Sequence, residues 1–454
     1  MDSQKIDLFE NYSIPKAVAK LAIPSLMGCI VMILYNIADT YFVGLLGSEI
    51  ESAAVSLAAP MILAFNAINN LFGVGGSSMM SRSLGKKDYS TVKKTASFCF
   101  YMATACALLI SLFYSIFDTQ FLTLLGADET TFYSTKNYLF WTVTCGAIPA
   151  IINVVLSNMV RSEGEAMHAS IGVMSGCLLN IILDPFFVLP QFLNMGASGA
   201  GCATFISNTF ATLYLLGVIF AKRKTTCVCI NPAQFCFRKD IFKEVFGVGV
   251  PASIQNLLNV TGTLILNNAT AVFGAAAVSA MGISHKVYLL PMYISMGITQ
   301  GVMPLISYNY ASNNRKRMKD AIMYVLRLTI IITILMGILY YIFAGPLVRL
   351  FINVDEIVVH GKILLRAMST GIPFLAIDFM VVAVFQATGK GKYSLLFAIL
   401  RKIVFEIPAI IVLNKIYPLY GMGYSQPFAE FILSIIALFI LRKIVKLPTQ
   451  QKSN

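Results

Sequence analysis

Charge is scarce in this 454-residue chain: Asp, Glu, Lys and Arg supply 12% of it, and hydrophobic residues 57%. A soluble globular domain carries about 25% charged residues, so the shortage excludes a water-soluble core and points to a protein dissolved in the bilayer. Histidine is scarcer still; His168, His285 and His360 lie far apart and offer no clustered set for an enzyme site. Neither a Gly-x-x-x-x-Gly-Lys-Ser/Thr loop nor a glycine fingerprint opening a βαβ unit is present, so no enzyme and no cofactor are expected, and an ATP-driven pump would need another chain. All nine cysteines lie at or before Cys236, none in a segment expected outside the cell, which argues against a disulfide framework. Cys227, Cys229 and Cys236 share a basic stretch, but their spacing matches no common zinc site, and reduced thiols are expected. Ahead of Pro15, the charges Asp2, Lys5, Asp7 and Glu10 leave no apolar core for a cleaved signal peptide, so a cytosolic lead-in is expected there.

Long uncharged runs are abundant. Ser52 to Ser81, Thr95 to Phe117, Asn137 to Val160 and Leu328 to Val348 each reach the roughly 20 residues a helix needs to cross a bilayer. Helices are expected because backbone groups must be satisfied internally there. Twelve spans are read at about 20–45, 53–80, 95–116, 137–160, 168–189, 197–221, 244–268, 276–306, 321–343, 363–386, 394–413 and 424–441. With the N-terminus inside, 25 of the 34 Lys and Arg fall in inside segments and only Lys136, Arg349, Lys362, Arg366 and Lys415 outside. The positive-inside rule therefore places both termini in the cytoplasm of a multi-pass cell-membrane protein. That bias also accounts for the net charge of +13, and with no basic stripe interleaved with aromatics no nucleic-acid partner is expected.

The chain also describes one bundle twice. Gly73 pairs with Gly297 at an offset of 224, Gly164 with Gly389 and Gly196 with Gly421 at 225, and Pro24 with Pro251 and Gly47 with Gly274 at 227. Residues 1–221 are read as one six-helix lobe, 222–243 as a cytoplasmic linker, and 244–454 as a second six-helix lobe with a short cytoplasmic tail. Six spans per lobe is an even number, so both copies enter the membrane in the same sense, related by a pseudo-twofold axis along its normal. A site between two such lobes can face each side in turn as they rock, which points to transport.

The repeat is broken where it carries acid. Asp39 and Asp184 lie inside apolar stretches of the first half, and the same offsets land on Leu266 and near Ala409 in the second. A carboxylate at mid-membrane costs about 2.5–3.5 kcal/mol on insertion scales, so each needs a reason to be there. Asn180 and Asp184, four apart, share a helix face. Pro185 lacks an N–H and so frees the Ile181 carbonyl. Two carboxylates, an amide oxygen and a freed carbonyl make a hard oxygen site for Na+, or a carboxylate pair able to share a proton. In the second half, Asp378 and Lys286 are expected to pair as a second charge site, Glu406 to pair with Arg401 or Lys402 at the membrane face, and His285 to be a packed residue. Asn66, Asn70, Gly73 and Ser77, and likewise Gln255, Asn256, Asn259 and Thr263, form polar stripes at helical spacing. Tyr35, Asn36, Asn153, Met292 and Tyr293 join Gln255, Asn256 and Asn259 as candidate cleft residues. The 21 Met, 32 Phe and 20 Tyr suit a pocket for varied hydrophobic cations.

Six motifs appear in order: Arg82-Ser-Leu-Gly-Lys-Lys-Asp88, Arg161-Ser-Glu-Gly-Glu165, Asn180-Ile-Ile-Leu-Asp-Pro185, Gly196-Ala-Ser-Gly-Ala-Gly-Cys-Ala-Thr204, Pro304-Leu-Ile-Ser-Tyr-Asn-Tyr310 and Gln386-Ala-Thr-Gly389. Together they resemble the multidrug and toxic compound extrusion (MATE) transporters over about residues 15 to 443, nearest the bacterial branch of DinF-like and MepA-like exporters. The resemblance implies an all-α protein of twelve transmembrane helices in two lobes around a V-shaped cleft, exporting amphipathic, often cationic compounds in exchange for inward H+ or Na+. It also implies a coupling-ion site at Asp39, Asn180, Asp184 and Thr204. A monomer without obligate protein partners, in contact with membrane lipid, is expected. The alternative within transport is a flippase for a lipid-linked or other amphipathic lipid, since a related fold serves that task.

Overall fold

The computed structural model describes residues 3–446, with side chains from 5 to 442. A lead-in helix, Ser3–Glu10, precedes twelve long rods. The first lobe holds α1 (Ile14–Gly44), α2 (Glu49–Gly85), α3 (Tyr89–Ile116), α4 (Phe132–Cys145 with Ala147–Ser162), α5 (Ala166–Val188) and α6 (Gly196–Ala221). The second holds α7 (Lys239–Ala271), α8 (Ala275–Ala311), α9 (Arg315–Ile342), α10 (Asp355–Ser369 with Ile372–Ala387), α11 (Gly391–Ile399, Leu400–Glu406 and Ile407–Ile416) and α12 (Ser425–Lys446). Eight rods are long and apolar enough to cross a membrane, ten once the bent α4 and α10 are counted as single spans. The other two carry the polar load: Gln255, Asn256, Asn259, Asn267 and Asn268 on α7, and Arg401, Lys402 and Glu406 on α11.

The repeat extends into local detail that composition alone does not give. Both α4 and α10 bend by 48°, at Gly146 and Gly371, which stand 225 apart. Asp88 caps α3 by accepting from the Thr91 N–H at 3.0 Å, and Asn314 caps α9 through the Arg317 N–H at 3.1 Å; such caps satisfy an orphan donor of the first turn. Gly164 and Gly389 close corresponding connections with φ of +91° and +75°, a left-handed backbone that disfavours a side chain. Short helices at Asp118–Leu124 and Ala344–Arg349 follow α3 and α9 at corresponding places in the two lobes.

The lobes meet along a seam at the end that carries the linker. A methyl on Gly75 would run into the Val245 carbonyl, one on Gly249 into the Leu71 carbonyl, and one on Gly85 into the Tyr308 carbonyl. Glycine thus lets α2 approach α7 and α8 backbone to backbone. Ser78 Oγ donates to the Gln386 carbonyl at 2.5 Å, Ser253 Oγ to the Ala67 carbonyl at 2.6 Å, and Arg82 Nη1 to Glu244 Oε2 at 2.6 Å. Helix α1 joins the seam through its first half, where Leu21, Ala22, Leu26 and Cys29 lie against Gly297 and Gly301 of α8. Toward the far end Leu34, Asn36, Ile37 and Tyr41 on α1 and Leu257 and Leu264 on α7 are exposed.

Candidate ion site and its second-lobe counterpart

Helix α1 packs along α5, and that contact brings the first-lobe polar residues together. Asp184 is 0% exposed and Asn180 1%; Asp39 is half-buried on the facing side of α1. With the Asn180 amide turned nitrogen toward the carboxylate, Nδ2 donates to Asp184 Oδ2 at 2.9 Å and Oδ1 accepts from the Thr204 N–H at 3.1 Å. The opposite orientation leaves Nδ2 donating to Thr204 Oγ1 at 3.3 Å. The amide can therefore offer the acid either a donor or, with a cation between them, an oxygen. Asp39 and Asp184 lie close enough for charge on one to act on the other, and Tyr35 sits against Asp39 and Thr204. No cation of the protein acts on either acid among the described residues. Tyr138, which the sequence reading missed, is buried within reach of the charge of both acids; the signal was Gly201, within the sixth-span motif, which packs against the Tyr138 ring and carbonyl.

The second lobe differs. Lys286 and Asp378 do not pair: Lys286 is exposed, because the buried stripe Ser284, Val287, Tyr288 and Pro291 puts it on the opposite face of α8. Asp378 is 1% exposed with neither oxygen hydrogen-bonded. Glu406 does accept from Lys402 Nζ, at 2.6 Å, but both are buried inside the lobe rather than set at the membrane face. Arg401, Lys402 and Glu406 are the buried residues of a π-helical segment, Leu400–Glu406; such segments are frequent at functional sites. Arg401 Nη2 donates to Asn259 Oδ1 at 2.5 Å. Glu430, absent from the sequence reading, takes hydrogen bonds from Gln426 at 2.7 Å and from the Tyr288 hydroxyl at 3.2 Å.

The cleft candidates divide. Asn153 is buried and donates to Asn208 Oδ1 at 2.6 Å, tying α4 to α6. Its short polar side chain acts as glue, not lining. Asn36 is exposed but folds its amide back onto the Met32 carbonyl at 2.7 Å. Met292 packs on the second-lobe core. Ser394 Oγ reaches Gln255 at 3.5 Å, while Asn256 and Tyr293 are half-buried.

Two blocks of the chain, residues 24–186 and 251–412, match the family model MatE. The chain belongs to the MATE family. The blocks begin at Pro24 and Pro251, the paired prolines of the repeat, and the first encloses Asp39, Asn180 and Asp184. The chain is 32% identical to the multidrug export protein MepA of Staphylococcus haemolyticus (strain JCSC1435), covering 100% of this chain and 99% of that protein. It is also 32% identical to MepA of Staphylococcus aureus (strain MRSA252), covering 97% and 96%. Among solved structures it superposes with a TM-score of 0.91, at 24% identity, on the outward-facing conformation of a multidrug resistance MATE family transporter of the MOP superfamily, covering 98% of each chain. A MATE crystallised in complex with MaL6 gives the same TM-score and identity, covering 98% of this chain and 99% of that one. These likenesses establish the all-α, two-lobe MATE fold, and with it a multi-pass membrane protein.

Proposed function

We infer that this MATE protein is a secondary exporter of amphipathic, cationic drug-like compounds, driven by inward movement of H+ or Na+ through the Asp39–Asn180–Asp184–Thr204 site. The observation that carries the reading is the first-lobe acid pair: a fully buried Asp184 with the Asn180 amide beside it, and the half-buried Asp39, neither of them ion-paired with a protein cation among the described residues. A carboxylate so placed calls for a mobile counter-ion. The MepA relatives, 32% identical over essentially their whole length, are named for multidrug export.

Coupling follows from where α1 lies. Its outer half carries Asp39 against α5, and its inner half packs on Gly297 and Gly301 of the second lobe. Ion loading that changes how α1 sits on α5 therefore acts on the interlobe seam, and a ligand shifts a two-state equilibrium by its differential affinity for the two states. One inward ion supplies about 2.3 kcal/mol per charge at 100 mV and about 1.4 per pH unit; together these could hold a several-hundredfold gradient of a neutral substrate, whereas export of a monovalent cation spends the electrical part and leaves about tenfold per pH unit. With the linker end cytoplasmic, as the Lys and Arg bias requires, the seam closes the inside and the cleft opens outward.

The test is export of a cationic dye from proteoliposomes under imposed Na+ or pH gradients. The parent transports under one or both gradients, and Asp39→Asn and Asp184→Asn lose most of that transport. Undiminished gradient-driven export by both variants overturns the assignment.

A further inference from the structure

The lead-in helix Ser3–Glu10 has no part in the ion site, yet it is held by both lobes at once. On the first-lobe side, Lys5 Nζ reaches Glu163 Oε1 at 2.9 Å and Glu165 Oε1 at 3.2 Å. Glu163 is 2% exposed and also accepts from the linker, through Thr226 Oγ1 at 2.7 Å and the Cys227 N–H at 2.8 Å. Leu8 and Phe9, 2% and 0% exposed, cover Gly164, where any side chain would crowd both of them. On the second-lobe side, the Phe9 ring stacks on Tyr308 with centroids 4.9 Å apart. The Tyr308 hydroxyl donates to Glu10 Oε1 at 2.7 Å. Asn309 Nδ2 donates to the Phe9 carbonyl at 3.2 Å, and Arg317 donates to the same carbonyl at 2.6 Å and to the Leu8 carbonyl at 3.3 Å.

We propose that the lead-in helix is a latch that holds the two lobes together at the linker end and so favours the state closed there. It sits directly over the glycine seam, and its two sets of partners belong to bodies that must separate if that end is to open. An eight-residue helix cannot keep Lys5 on Glu163 and Phe9 on Tyr308 once they part. Contacts made in only one of two states favour that state by their whole free energy. The Gly164 connection supplies the flat surface the latch lies on. Arg317, reaching back to two carbonyls at the helix's C-terminal end, supplies the hold on the moving partner; cations are favourable at that end of a helix. The proposal rests on the two lobes alternating, as inferred above, but not on which residues bind the coupling ion.

The test is a distance measurement by pulsed electron resonance on the full-length protein in lipid nanodiscs. Nitroxides are attached through an encoded ketone residue at exposed Lys93 and Lys319, so the native cysteines stay in place, and neither substrate nor ion gradient is supplied. The parent shows mainly the short interlobe distance. Arg317→Gln raises the long-distance population several-fold, Tyr308→Phe raises it less because the ring stack survives, and Lys316→Gln, an exposed neighbour of the same charge, leaves the parent distribution. Superposition of Arg317→Gln and Tyr308→Phe on the parent overturns the latch, as does an equal broadening by Lys316→Gln or a single distance in every sample. If instead Asp39→Asn and Asp184→Asn export normally while the Arg317→Gln shift is present, the coupling assignment falls and the latch stands.

Discussion

The two lobes share a backbone plan and differ in what balances their buried acids. In the first, Asp184 has the neutral Asn180 amide beside it, itself bonded to Thr204, and neither Asp39 nor Asp184 has an ion-pair partner among the described residues. In the second, Glu406 has a fixed cation in Lys402 and Arg401 is held by Asn259, while Glu430 is bonded by neutral Gln426 and Tyr288 and buried Asp378 accepts no hydrogen bond among the described residues. An acid with its own fixed cation has less use for a mobile one. The lobes share a plan but not their buried charges.

The sharpest way to break this comparison is to neutralise one acid per lobe. Asp184→Asn is expected to cut gradient-driven export by about 5–150-fold, the range of a typical coupling free energy, while Asp378→Asn falls well short of that. Proteoliposome flux under matched gradients decides it, and the reverse ranking would move the coupling site to the second lobe. Next in size is stability. Lys402→Met strands a buried carboxylate and is expected to cost about 3–5 kcal/mol, much of it recovered in Lys402→Met/Glu406→Leu, since replacing a whole buried pair is often neutral. Asp184→Asn removes a charge with no fixed partner and should leave thermal unfolding in detergent at or above the parent value. A large loss there would mean the first-lobe acids are structural.

Much of this was legible in the sequence, for physical reasons. Spans are legible because a bilayer forbids unpaired backbone polar groups over some twenty residues, and Asp39, Asn180 and Asp184 stand out because acids are costly there. The second lobe was harder. Lys286 and Asp378 invited pairing as opposite charges inside predicted spans, but the phase of the buried stripe Ser284–Val287–Tyr288–Pro291 decides which way Lys286 points. The π-helical segment that holds the buried Arg401 and Lys402 leaves no sequence mark that a 3.6-residue period can read. Glu430 and Tyr138 matter through long-range neighbours, which span counting does not supply.

Smaller effects sharpen the comparison at single hydrogen bonds. Thr204→Ala keeps the main-chain donor to Asn180 and removes only the hydroxyl, so the half-saturating ion concentration should rise about 2- to 12-fold, as loss of one hydrogen bond worth about 0.5–1.5 kcal/mol implies. Tyr288→Phe in the second lobe leaves Glu430 its Gln426 bond and should lower stability by a similar free energy without altering ion dependence. An equal effect of Tyr288→Phe on half-saturation would bring Glu430 into the ion path.

The latch repeats the contrast between lobes, with ion pairs at its first-lobe end and an aromatic stack with main-chain bonds at its second-lobe end, and pH separates the two. Burial pushes the Glu165 carboxyl up, but Lys222 and Lys5 outweigh it and hold Glu165 below the usual carboxylate range. Burial likewise pulls Lys5 down, and Glu163 and Glu165 outweigh it and hold Lys5 above the usual lysine value. The depressed acid contributes stability that is present above the unfolded value of about 4.3 and is lost as pH falls through its lower folded value. The raised lysine contributes stability that is present below about 10.4 and is lost as pH rises through its higher folded value. Between about pH 5.5 and 9 neither titrates, so the interlobe distance distribution should be flat across that window if the first-lobe end of the latch alone responds to pH. A rise of the long-distance population confined to the acid side, preserved in Tyr308→Phe and abolished when Lys5→Met has already released that end, assigns the change to the Lys5 anchor; a midpoint within the window would instead point to an imidazole, such as His168 with Nε2 3.9 Å from Glu165 Oε2, or to a group away from the latch.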